Sequence, residues 1–149
     1  MAAQEHDRVF TGAIPQFYDR HLVPLIFEPY AEDRARRVDA LRPQRVLEIA
    51  AGTGVVTRAL ARALTAATTV VATDLNQPML DRAAAVGTAQ PVQWQQADAM
   101  QLPFADASFD AVVCQFGVMF FPDKACAYAE ARRVLRPSES TCLPWCDVR

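Results

Sequence analysis

Arg45-Val-Leu-Glu-Ile-Ala-Ala-Gly-Thr-Gly54 decides the fold class. Arg45 to Ala50 is a short apolar run and Ala51-Gly-Thr-Gly54 a glycine turn, so the stretch reads as a strand that ends abruptly. Val55 to Ala66 follows, with Val56, Leu60 and Leu64 on one helical face and Arg58 and Arg62 elsewhere. Thr69 to Thr73 is a second, β-branched strand. Asn76 then stands as the cap of a helix that has Pro78 in its first turn and Met79, Leu80 and Ala83 behind it. Pro91 to Trp94 is a weaker third strand and Asp110 to Gln115 a fourth. Asp123 to Leu135 is a helix with Ala125, Tyr128, Ala129 and Arg132 at helical spacing. Residues 13–41 read as helical segments ahead of the sheet, broken near Pro24 and Pro29.

Alternating apolar strands and helices predict an α/β fold, a doubly wound parallel sheet with helices on both faces. Such sheets bind ligands beyond the carboxyl ends of their strands, near the point where strand order reverses. The first strand leaves through Glu48 to Gly54, so the chemistry is sought there.

The bulk properties narrow the function. A chain of 149 residues, 52% apolar and 21% charged, has material for one packed domain. Its net charge of −2, with both signs interleaved, gives no footprint for a nucleic-acid partner. The N-terminus lacks an apolar signal region, and the longest apolar stretch, Ala111 to Pro122, is interrupted by Gln115 and too short for a bilayer. A soluble, cytoplasmic protein without a membrane partner is expected. Cys114, Cys126, Cys142 and Cys146 form no C-x-x-C pair, and His6 and His21 lie far from them, so no metal is expected. Cys114 and Cys126 read as small buried hydrophobes.

Glycine in the turn allows positive φ and close approach of a ligand to the backbone. The third glycine of a dinucleotide fingerprint would fall at Thr57, and Glu48 precedes the turn; a carboxylate there would repel a pyrophosphate. Asp74 ends the second strand, where an acid can accept from both hydroxyls of a ribose; alone, it would read as a helix-capping aspartate. Asp98 follows the third strand.

Three motifs occur in order: E-x-A-x-G-x-G from Glu48 to Gly54, D-L-N-x-x-M-L from Asp74 to Leu80, and D-A-x-x-L-P-F-x-D-x-S-F-D from Asp98 to Asp110. Together they resemble the class I S-adenosylmethionine-dependent methyltransferases, and among these the small-molecule group that includes quinone-biosynthesis enzymes. The resemblance covers Arg45 to Pro137 and implies a Rossmann-like sheet. It implies that S-adenosyl-L-methionine is the cofactor and a small molecule the methyl acceptor. Gly52 and Gly54 would lie under the methionine part, with Glu48 holding the turn and the amino group. Asp74 would bind the ribose, while Leu75 and Met79 flank the adenine. Asp98 would accept from the adenine amino group and the Ala99 N–H meet a ring nitrogen. Gln115 and Phe116 would close the floor near the reactive methyl, and Tyr18, in Tyr18-Asp-Arg20, would belong to a helical cover. Ala50 departs from the family's commonest glycine. No catalytic residue is implied; His21, beside the cover, reads as a solvated helix residue rather than a base. Arg132, Arg133 and Arg136 read as a solvated helix end.

These readings divide the chain into a helical cover, residues 1–44, a cofactor-binding domain, 45–137, and an atypical tail, 138–149. The resemblance implies two glycines and further strands after Pro137, whereas Ser138 to Arg149 is polar and holds Pro144. A shifted reading frame is expected to produce this tail, because Ser-Thr-Cys-Leu-Pro-Trp can be encoded so that another frame reads Tyr-Leu-Leu-Ala-Val. A chain truncated in this way leaves the fourth strand as an exposed edge, apolar on both faces, and predicts self-association there. It also raises the alternative of an inactive cofactor-binding fragment or interaction module. A nicotinamide-dependent oxidoreductase is disfavoured by Glu48 and Thr57.

Overall fold

In the computed structural model, the described residues are His21 and 27–137. Tyr18 and the tail from Ser138 lie outside them. Four parallel strands, β1 (Arg45–Ile49), β2 (Thr69–Asp74), β3 (Val92–Gln96) and β4 (Ala111–Val113), form one sheet in the order β3-β2-β1-β4. The helices are α1 (Glu28–Ala40), α2 (Val55–Ala63), α3 (Gln77–Val86) and α4 (Lys124–Val134). The chain runs from β1 outward through β2 to β3, then returns to place β4 on the other side of β1. Strand order therefore reverses at β1, and the crevice beyond the ends of β1 and β4 is the place for a ligand.

Alternation along each strand sorts the core into two layers. Val46, Val70, Ala111 and Val113 pack with Ala31, Ala35 and Val38 of α1 and with Val56, Ala59 and Leu60 of α2. Leu47, Ile49, Val71 and Val112 face the other way, toward Phe109 and toward Ala127, Ala131 and Val134 of α4. Burial on both faces explains why β1, β2 and β4 read as mainly apolar runs. β3 lies at an edge and stays half-exposed, which accounts for its weak signal.

Several local expectations change. Pro29 sits in the first turn of α1 and starts that helix rather than breaking it, because the missing N–H falls where no helical bond is made. On α4 the buried stripe is Ala127, Ala131 and Val134; Ala125, Tyr128, Ala129 and Arg132 form the exposed face. An alanine-rich helix gives two stripes of similar spacing, and only the neighbouring sheet chooses between them. β4 is not exposed on its faces: Ala111, Val112 and Val113 are each 3–4% exposed, and Leu135 makes a parallel bridge to Phe109 beside the strand's start.

Arg133 and Arg136 are more than a solvated helix end, although Arg136 stays exposed. The Arg133 guanidinium donates to the carbonyls of Leu102 and Phe104 and pairs with Glu130 and Asp106. Glu130 in turn accepts from the Leu102 N–H at 2.8 Å. Arg136 pairs with Asp110 at 2.6 Å, and the other oxygen of Asp110 accepts from the N–H groups of Gln44 and Arg45 at 2.9 and 2.8 Å. These contacts hold Asp110 below the usual carboxylate range despite the burial that opposes it. Much of the 98–110 motif is thus a clamp that fixes the loop between β3 and β4 onto α4.

Gly54 is required by packing. Its φ is +83°, and a Cβ there would lie 3.0 Å from both the Ala83 Cβ and the Trp94 ring. Gly54→Ala is expected to cost about 2 kcal/mol of stability through backbone strain and crowding, read from urea unfolding.

Candidate functional site

A cavity of about 440 Å³ opens beyond the carboxyl ends of the strands. That volume lies within the range of small-ligand sites. Of the residues singled out in the sequence, Ala50, Gly52, Asp74, Leu75, Met79, Asp98, Ala99, Gln115 and Phe116 line it together. Glu48 and Gly54 do not. His21 is exposed and does not line the cavity either.

Asp74 is fixed by the exits of two strands. Its Oδ2 accepts from the Gly52 N–H at 2.8 Å and its Oδ1 from the Asn76 N–H at 2.9 Å. Burial raises its pKa, and the N–H groups of Asn76 and Gly52 pull it back. Oδ1 also takes the Asn76 side-chain amide at 3.5 Å, whereas Oδ2 takes the Gly52 N–H and retains acceptor capacity. Asn76 starts α3 without a side-chain cap and instead supports Asp74. Asp98 forms a short turn, its Oδ1 accepting from the Met100 N–H at 2.8 Å, and stands on the cavity wall. Asp74 and Asp98 are the only titratable side chains lining the cavity among the described residues.

Glu48 works from inside the protein. It is 2% exposed, its Oε2 accepts from the Thr57 hydroxyl at 2.5 Å, and burial raises its pKa to about 8. The Thr57 hydrogen bond opposes that rise and the neighbouring Asp74 charge adds to it. One expectation changes here. Glu48 is not among the residues that line the cavity, and burial rather than a ligand sets its state. Thr57 stands where that fingerprint has glycine, and its side chain is spent on Glu48.

Ala50 shows how a turn that usually holds glycine accepts alanine. Its φ is +55°, in the left-handed region. Its methyl lies against Gly117, where an added Cβ would come within 2.3 Å of the Ala50 Cβ. Gly117, at the start of the 3₁₀ turn Gly117–Phe120 after β4, leaves the space that the Ala50 methyl fills. Phe116, also at positive φ (+62°), closes this side by packing edge-on against Phe27 and Tyr30, at 5.3 and 5.5 Å between ring centres. The remaining wall, Met100, Met119, Phe120, Phe121 and Pro122, is apolar. The sequence reading missed these residues; the run Gly-Val-Met-Phe-Phe-Pro after Phe116 was visible, but nothing in its spacing says it bends back over the strand ends.

The site combines an acidic end with an apolar wall and, among the described residues, no lining cation. Residues 47–142 match the methyltransferase-domain family. The chain belongs to that family. It is 46% identical over 95 residues to an uncharacterized protein of Mycobacterium tuberculosis, a match covering 62% of this chain and 34% of that protein. With the ubiquinone/menaquinone biosynthesis C-methyltransferase UbiE of Teredinibacter turnerae it shares 41% identity over 105 residues, 67% of this chain and 42% of that enzyme. The crystal structure of an S-adenosylmethionine-dependent methyltransferase from Mesorhizobium loti superposes with a TM-score of 0.58 and 26% identity, covering 72% of this chain and 50% of that one. The chain thus spans between a third and a half of the length of these curated relatives.

Two outcomes are expected. A carboxyl whose pKa is raised on folding contributes stability below its unfolded pKa and loses it as pH rises through the folded value. The wild type should therefore lose stability relative to Glu48→Gln between about pH 4.5 and 8, with the thermal midpoint followed across that range. Gly117→Ala should cost about 2 kcal/mol or more, and adding Ala50→Gly should restore at least about 1 kcal/mol of it; a double-mutant cycle in urea measures the coupling.

Proposed function

We propose that the chain binds S-adenosyl-L-methionine in this cavity and serves methyl transfer to a small-molecule acceptor. One observation carries the reading: a buried Asp74, positioned by the glycine turn, shares a cavity with Asp98 at the exits of β2 and β3. Family membership and the names of the relatives support it.

In this reading Asp74 accepts from the ribose hydroxyls, Leu75 and Met79 flank the adenine, and Asp98 and the Ala99 N–H meet its edge. Ala50 and Gly52 lie beside the methionine part, and Gln115 and Phe116 lie near the methyl. Glu48 and Gly54 contribute from beneath, by shaping the turn. The division into 1–44, 45–137 and 138–149 belongs to this reading, with Tyr18 assigned to a cover over the cofactor; α1 itself packs on the sheet, so that cover would come from the residues ahead of it. When bound, the sulfonium supplies an already activated methyl, so the protein needs no covalent nucleophile. What the residues supply is alignment and exclusion of water, the latter through the apolar wall of Met100, Phe116, Met119 and Phe120. An uncharged acceptor suits that wall. A cytoplasmic location without nucleic-acid or membrane partners belongs to the same reading, supported by the small net charge of −2. Among the described residues no helix is long and apolar enough to cross a membrane. Self-association along β4, which pairs only with β1 among the described strands, belongs to it as well.

A second reading is cofactor binding without transfer. It is favoured by a cavity whose only titratable lining groups among the described residues are Asp74 and Asp98. Titration calorimetry on folded protein tests what both share: S-adenosylmethionine or its demethylated product should bind, and no heat from either would overturn both. Asp74→Asn should weaken binding by roughly tenfold or more, the loss expected for charge-assisted hydrogen bonds. Transfer of a labelled methyl to candidate acceptors then separates the two.

A further inference from the structure

Two residues other than glycine hold left-handed backbone at the exits of neighbouring strands: Ala50 after β1, with φ +55°, and Phe116 after β4, with φ +62°. Both line the cavity. Such a conformation persists only where the surroundings over-determine it. Each of the two has its support. The Phe116 ring packs edge-on against Phe27 and Tyr30, and the Ala50 methyl fills the space over Gly117. Beyond Gly117 the support is thin. The 3₁₀ turn Gly117–Phe120 is closed by long bonds, 3.4 Å from the Met119 nitrogen to the Phe116 carbonyl and 3.2 Å from the Phe121 nitrogen to the Val118 carbonyl. Val118 is buried, but Met119 and Phe120 are 57% and 59% exposed although both belong to the cavity wall. A segment with stretched bonds and half its apolar side chains in water lies at the low end of local stability.

We propose that the Ala50 methyl transmits occupancy of the donor site to this turn, so that a seated methyl donor orders Gly117–Phe120 and completes the apolar wall that receives the acceptor. This rests on the cofactor reading of the preceding subsection. A ligand on the turn after β1 lies against Ala50 and Gly52, the two residues of that turn that line the cavity. It stops Ala50 from moving outward into the cavity. The Ala50 methyl touches the backbone of Gly117 so closely that a Cβ there would stand 2.3 Å away, and Cys114 Sγ, at 3.2 Å from the same point, backs it. Once Ala50 is held, the chain at Gly117 loses its room to shift as well. Coupling of this kind needs no change in mean structure, only a shared loss of freedom. Two consequences follow for the reaction. The donor binds first, because the acceptor wall is finished only in its presence. By linkage, an apolar molecule lying on Met119 and Phe120 tightens the donor by the same factor.

Amide hydrogen exchange of the full chain, with and without saturating S-adenosylhomocysteine, tests this in the wild type and in Ala50→Gly. The variant relaxes the left-handed backbone at position 50, so it keeps the fold while deleting the methyl. In the wild type, exchange in residues 117–121 should slow by about fivefold or more on binding, the scale of an ordinary coupling between sites. In Ala50→Gly that slowing should be lost, while residues 74–80 beside Asp74 are still protected by the ligand. Slowing at 117–121 that survives in Ala50→Gly means that the ligand reaches the segment without Ala50, and it overturns the proposal. Protection of 74–80 in the wild type with no change at 117–121 overturns it too. Both of these results leave the cofactor reading standing. Folded wild type that binds neither S-adenosylmethionine nor S-adenosylhomocysteine overturns both.

Discussion

The carboxylate of Asp74 joins the ends of the two central strands. One oxygen takes the N–H of Gly52 from the turn after β1, and the other takes the N–H of Asn76 at the start of α3. Both loops must be shaped to present these donors, and both then form the cavity wall. Positive φ at Ala50, Gly52 and Gly54 lets the turn fold tightly enough to reach the acid. Glu48 lies beneath that turn, held by Thr57, and carries little charge at neutral pH. The result is an acidic pole with Asp74 on the cavity wall and Glu48 buried beneath it.

The opposite side of the site depends on steric fit. Ala50 brings a methyl into a position that glycine usually fills, and Gly117 makes room for it across β1 and β4. That contact fixes the chain after Gln115, and the ring cluster of Phe27, Tyr30 and Phe116 fixes it from the side of α1. The exit of β4 is thus coupled both to the glycine turn and to the segment ahead of the sheet. Methyl-donor chemistry places little demand on acid–base groups, so a site built from hydrogen-bond acceptors and shape is consistent with the family to which the chain belongs.

The segment from Asp98 to Asp110 serves both structure and site. Asp98 and Ala99 stand on the cavity wall, whereas Leu102, Phe104, Asp106 and Asp110 bind the loop to Arg133 and Arg136. The motif reads as one unit in sequence, and only its first two residues and Met100 line the cavity. The bonds that the arginines make to this loop join residues between 26 and 31 positions apart, a separation at which local pattern carries no signal.

The sequence by itself determined the alternation of strand and helix, the parallel sheet and the residues at the strand exits. These follow from periodicity and turn chemistry, which act over a few residues: apolar runs in β1, β2 and β4, glycines after β1, acids after β2 and β3. Tertiary structure decided what depends on contacts between distant segments. It chose the buried stripe of α4, because an alanine-rich helix offers two. It withdrew Glu48 and Gly54 from the cavity, because burial and packing are properties of neighbours. It also paired Ala50 with Gly117, since which partners a buried group meets is settled only when the chain closes on itself.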